Sequence, residues 1–154
     1  IRDSNMPDIS LAFSVSALTF SCGIIWLSSQ AANMESSNPN RLITELRLAQ
    51  YAALLMVLTA GVYIGLALAQ EQQPRFELEI AFSTGFILLA ALATTWVPEK
   101  ALTGLALAWI IHAIIDLGHI AEVLSGMRPS WYSTTCAIHN VVLAGFCYLP
   151  VWRR

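Results

Sequence analysis

The sequence predicts an all-α protein, a polytopic bundle of transmembrane helices with five spans. The chain is 56% hydrophobic and only 12% charged, whereas soluble domains carry roughly a quarter charged residues. The charges are also segregated, because five apolar windows contain only one of them, Asp116. Each window has 18 to 21 residues, close to the ~20 that a helix needs to cross a ~30 Å hydrocarbon core. We therefore expect one transmembrane domain over residues 1–154, with spans at residues 11–29, 50–70, 80–97, 101–121 and 134–152.

The first window is rich in serine. Ser14, Ser21 and Ser28 recur every seven residues, which places them on one face of a helix. Small polar residues on one face are typical of close contacts between membrane helices, so we expect this face to pack against another helix. The alternative is an N-terminal helix that lies at the membrane interface, followed by four spans.

The second window carries a ridge of small residues, Gly61, Gly65 and Ala69, spaced four apart. Such a ridge lets another helix backbone approach closely. Packing within the chain and homodimerisation both explain it. Farther along, the short stretch around Pro98 predicts a tight turn, so the third and fourth spans should be antiparallel neighbours.

The distribution of basic residues predicts the orientation in the membrane. Cytoplasmic loops carry an excess of Lys and Arg, and the end of the bundle that holds the C-terminus has more of them. We therefore expect a cytoplasmic C-terminus. The net charge of −2 gives no basic patch for nucleic acid. The C-terminal end holds Arg41, Arg47, Lys100, Arg153 and Arg154, and the other end holds Arg2, Arg75 and Arg128.

The residues that could carry chemistry lie in the last two windows. His112, Asp116 and His119 share one face of the fourth span, at intervals of four and three residues. His139 lies in the fifth span at a depth similar to that of His119. Asp116, His119 and His139 could therefore bind one metal, and a carboxylate with two imidazoles suits zinc or iron. His112 lies too deep to share a metal with His119. Trp109, Cys136 and Asn140 are the expected supporting polar residues.

Two other interpretations of these residues remain open. A hydrogen bond between Asp116 and His112 could serve only to fix helix packing, or the residues could relay protons. Alternatively, His112 could ligate a tetrapyrrole, haem or chlorophyll, because one axial position needs only one histidine.

The pattern W-x-x-H-A-x-x-D-x-x-H over 109–119, followed by Pro129-x-Trp131-Tyr132 and Cys136, resembles small bacterial multi-span membrane proteins of uncharacterised function. The resemblance covers residues 100–152. It implies the bacterial inner membrane as the location, and it implies no activity.

These observations favour a small accessory or cofactor-holding subunit of a larger membrane assembly. Its expected partners are the lipid bilayer and either other membrane subunits or further copies of the chain. The first alternative is a metal-dependent intramembrane enzyme that uses Asp116, His119 and His139. The second is haem or chlorophyll ligation through His112.

Overall fold

A computed structural model describes residues 6–69, 76–121, 123–124 and 130–154. This part of the chain is 88% helix and contains no strand, so the predicted all-α fold is confirmed. The helices are α1 (Met6–Asn33), α2 (Pro39–Leu68), α3 (Phe76–Ala93), α4 (Pro98–Ile120) and α5 (Ser130–Trp152).

Four of these helices, α1, α2, α4 and α5, contain stretches that are long and apolar enough to cross a membrane. The serine-rich first window is among them. A fifth membrane-crossing stretch is not shown among the described residues. Glu77 and Glu79 occupy the first turn of α3.

The third helix also ends earlier than the predicted window 80–97. It stops at Ala93, and the N–H groups of Thr94 and Thr95 bond to carbonyls three residues back, as in a tightening last turn. Val97 is extended because it precedes Pro98, the first residue of α4. Proline suits this first helical position, where its missing N–H has no partner to lose.

Four helix termini meet at one end of the bundle around four charged side chains, Arg41, Glu45, Glu99 and Arg154, which we term the ionic face. Arg154, just beyond α5, pairs with Glu45 near the start of α2 and with Glu99 at the start of α4. Arg41 Nε lies 3.0 Å from Glu45 Oε1. Because α2 and α4 both begin at this end, the chain returns from the far end of α2 along α3.

Arg41 also caps two helix ends. Its guanidinium donates to the carbonyl of Met34, just beyond α1, and to that of Pro150 in the last turn of α5, both at 2.8 Å. Carbonyls at a helix C-terminus have no N–H within the helix to bind, and a cation suits the partial negative charge there. Arg41, only 4% exposed, therefore ties α1, α2 and α5 together.

A second link between α1 and α5 depends on a proline. Pro150 lies inside α5, and because it has no N–H it leaves the Phe146 carbonyl without its usual donor. The Ser28 hydroxyl of α1 donates to that carbonyl at 2.6 Å. A side chain from a neighbouring helix thus replaces the missing bond, which is how membrane helices accommodate proline.

Candidate functional site

Asp116 is completely buried between three helices, at 0% exposure. The Tyr63 hydroxyl of α2 donates to its Oδ1 at 2.6 Å, and the Asn140 amide of α5 donates to its Oδ2 at 2.9 Å. Both oxygens therefore accept a hydrogen bond, as a carboxyl group needs when it leaves water. We term Tyr63, Asp116 and Asn140 the carboxylate cluster.

His112, also buried at 4% exposure, is enclosed by aromatic rings. The Phe86 ring stacks on it with centroids 4.8 Å apart, and the Tyr63 ring meets it edge-on at 4.7 Å. The cavity that His112 lines has a volume of only about 10 Å³. A haem or chlorophyll ligated by His112 would therefore have to displace these rings.

Trp109 lies one turn before His112 and is fully buried. Its indole N–H finds no acceptor among the described residues. Its ring lies nearly parallel to that of His112, with centroids 6.2 Å apart. Trp109 therefore supports the histidine by packing against it.

His119 faces the start of α3. Its Nε2 lies 3.8 Å from Oε1 of Glu79, and its Nδ1 lies 3.2 Å from the carbonyl oxygen of Leu124. These contacts bring the end of α4 and the start of α3 together at the end of the bundle opposite the ionic face.

His139 faces α1 rather than the carboxylate cluster. Its Nε2 lies 2.6 Å from Oγ of Ser21, and that hydroxyl also donates to the Ala17 carbonyl at 2.8 Å. A hydroxyl carries a single proton, so Nε2 is the donor when Ser21 bonds to Ala17. Asn140, the next residue of α5, is the one that reaches Asp116.

The structure does not gather the predicted metal ligands Asp116, His119 and His139 into one site. Their contacts point to three different places: α2 and α5, the start of α3, and α1. Helix rotation explains this, because adjacent residues of α5 point about 100° apart, so Asn140 and His139 serve different neighbours. Among the described residues, no group of three His, Cys, Asp or Glu side chains is placed to hold a metal ion.

A groove of about 290 Å³ opens between α1, α2 and α5. Its walls are mostly apolar, and polar residues of all three helices, among them Ser16, Thr59 and Asn140, also line it. This composition is typical of small-molecule sites, which combine apolar walls with a few placed polar groups in volumes of about 300–1,000 Å³. The lining includes Phe20, Leu58, Val62, Cys136, His139 and Asn140.

The residues predicted to pack helices have different surroundings. Ser21 and Ser28 both contact α5, while the side chain of Ser14 lies outside the described residues. Gly61 and Gly65 are exposed, and a Cβ added at either would meet no described atom within 4 Å. The glycine ridge is therefore uncovered within the described chain.

Sequence reasoning did not identify Tyr63, Glu79 and Phe86 as site residues. Tyr63 had one available signal, since it is a hydrogen-bonding side chain within an apolar window, away from the ends where tyrosines usually lie. Glu79 lies just before the predicted span 80–97, and Phe86 resembles any other apolar helix residue. Only the packing of α2 and α3 against α4 distinguishes them.

No known protein family, curated protein or solved structure matches this chain. Functional conclusions therefore depend on its own residues.

Proposed function

We propose that this chain is a five-span integral membrane protein, a single transmembrane domain over residues 1–154, that acts as an accessory or cofactor-holding subunit of a larger membrane assembly. The single observation that carries the subunit role is the uncovered glycine ridge on α2. The groove between α1, α2 and α5 supports a role in holding a ligand.

The topology of the described helices supports a fifth crossing by α3. The ionic face holds the starts of both α2 and α4, so the chain has to return between them. The contact between Glu79 and His119 places the start of α3 beside the end of α4. Its 18 residues span about 27 Å at 1.5 Å per residue, close to the ~30 Å of a hydrocarbon core.

The proposed orientation has the ionic face and the C-terminus in the cytoplasm, with the bacterial inner membrane as the location. Arg41 and Arg154 both contact Glu45 at this face, and the neighbouring Arg153 bonds to Asn33. The basic residues gathered there fit the positive-inside rule.

The glycine ridge supports association with another membrane helix. Gly61 and Gly65 lie one turn apart and are exposed, so a second backbone can approach them closely. Leu58 and Val62 beside them are 47% and 43% exposed. In a bilayer, where apolar exposure is not itself a driving force, close packing of this kind drives helix association.

The test is the mass of the protein extracted from its native membrane in a mild detergent, measured by native mass spectrometry. We expect an assembly heavier than the 16.9 kDa chain, and the masses distinguish copies of the chain from other subunits. Replacing Gly61 and Gly65 by Leu should release the monomer, because side chains there meet nothing within the monomer but block a partner.

The matched control is Gly145→Leu on α5, another exposed glycine with open space around it. It should leave the assembly intact. A wild-type protein that runs as a lone monomer, or a double variant that assembles normally, would contradict the subunit role.

The metal-enzyme and tetrapyrrole hypotheses remain predictions with direct tests. Stoichiometric zinc or iron in the purified protein would support the first, and an absorption band of haem or chlorophyll would support the second. The metal site would require Asp116, His119 and His139 to rearrange. The tetrapyrrole site would require the rings around His112 to rearrange.

A further inference from the structure

The orientation of the Asn140 amide follows from its partner. The NH₂ group of Asn140 donates a hydrogen bond to Asp116 Oδ2 at 2.9 Å, as a carboxylate oxygen requires of its partner. The amide oxygen, Oδ1, is thereby the branch that does not face Asp116. Asn140 also lines the groove between α1, α2 and α5, so it is shared by the carboxylate cluster and the groove.

Among the described residues, the bond to Asp116 is the only hydrogen bond of the Asn140 side chain. The Oδ1 atom of Asn140 therefore accepts no hydrogen bond from them. The residue is nevertheless 1% exposed. Oδ1 is not among the fully buried polar atoms that lack a partner, so it keeps an opening where accepting a further hydrogen bond is favourable. The groove is where a donor from outside the chain could reach it.

The depth of Asn140 restricts the chemistry of such a donor. Asn140 lies ten residues after the start of α5 and twelve before its end, about 15 and 18 Å along the helix axis. An ionised head group carried to this depth would lose its hydration, so the donor has to be neutral. The remaining walls, including Phe20, Leu58 and Val62, favour a hydrocarbon body.

We propose that the groove binds a neutral lipophilic alcohol or phenol, whose hydroxyl donates a hydrogen bond to Oδ1 of Asn140. The ring or chain of the molecule lies against the apolar walls contributed by α1 and α2. The inference relies on the proposed membrane crossing of α5, and its binding test does not require the chain to assemble with other subunits.

Two probes of similar shape test this proposal, 4-nonylphenol and its methyl ether, which lacks the hydroxyl donor. Binding is measured to the full chain in lipid nanodiscs, with retention by empty nanodiscs subtracted to remove partitioning into lipid. We expect the phenol to bind about tenfold more tightly, since the ether leaves the amide oxygen without a donor. Equal binding of the two probes would overturn the proposal, as would displacement of the phenol by phospholipid alone.

Two variants separate the hydroxyl contact from the groove itself. In Asn140→Leu the phenol and its methyl ether should bind with about equal affinity, a ratio of about one, because the substitution removes the acceptor. Since that change also removes a bond to Asp116, Leu58→Trp gives an independent test: it fills the groove from a half-exposed position and should abolish binding of both probes.

The control for the second variant is Leu54→Trp, one turn earlier on α2 and 56% exposed, outside the groove lining. It should bind the phenol as wild type does. Undiminished phenol binding by Leu58→Trp would overturn the proposal. A chain that binds the phenol but is monomeric in its native membrane would contradict only the subunit role.

Discussion

The ionic face and the carboxylate cluster bury polar groups in different ways. At the ionic face, Glu45 is 1% exposed and contacts two guanidinium groups, those of Arg41 and Arg154. In the carboxylate cluster, Asp116 is equally buried, but the hydrogen bonds identified for it come from neutral donors, the Tyr63 hydroxyl and the Asn140 amide.

The difference is one of position along the helices. The ionic face lies at helix termini, where free carbonyls and the helix dipole add binding groups for a cation. Asp116 lies within α4, where the neighbouring backbone groups are used by the helix, and side chains such as those of Tyr63 and Asn140 bind it instead. The first site therefore holds helix ends together, whereas the second holds a carboxyl group beside a groove.

Removing Arg41 should have the largest effect on the free energy of unfolding, because Arg41 contacts more groups than the residues changed in the other variants. Arg41→Ala leaves the Met34 and Pro150 carbonyls without a donor and removes one of the cations beside buried Glu45. We expect unfolding in detergent to become easier by about 3–5 kcal/mol, the usual effect of breaking a buried ion pair.

The measurement is a thermal or denaturant unfolding curve of the purified protein. Arg47→Ala, at an exposed position of the same helix, is the control and should change stability by less than about 0.5 kcal/mol. Equal effects of the two variants would show that the ionic face does not hold the helices together.

Asp116→Asn should have a smaller effect, because it keeps the shape of the side chain. The new amide offers one acceptor oxygen where the carboxylate offered two, so either the Tyr63 hydroxyl or the Asn140 amide loses its acceptor. We expect a loss of about 1–3 kcal/mol. A double-mutant cycle with Tyr63→Phe measures the coupling of the pair, and additivity of the two changes would contradict a direct bond.

Ser28→Ala should have the smallest effect on stability, because it removes a single neutral bond between α1 and α5. It leaves the Phe146 carbonyl without the donor that replaces the N–H missing from Pro150. The expected loss is about 1 kcal/mol, read from the same unfolding curves.

The proline itself provides the control for this last variant. If the Ser28 bond exists only because Pro150 frees the carbonyl, Ser28→Ala should cost measurably less in a Pro150→Ala background. An equal loss in both backgrounds would contradict the coupling.

The site shows where sequence reasoning reaches its limit. The placement of His112, Asp116 and His119 on one face of α4 depends only on helical periodicity. Which residues meet that face depends on how α2, α3 and α5 are rotated about their own axes. A rotation of about 100° decides whether Asn140 or His139 faces Asp116, and the hydropathy of a window carries no information on that angle.

The amino-acid sequence by itself determined that this is a helical protein with segments suited to a bilayer, and that its charges lie mainly outside them, because hydropathy and length are properties of each segment alone. Only the tertiary structure decided that Asp116 is held by Tyr63 and Asn140, that His139 bonds to Ser21, and that Arg41 joins three helices. Those outcomes depend on tilt, rotation and contact between segments distant in the chain, which no single segment specifies.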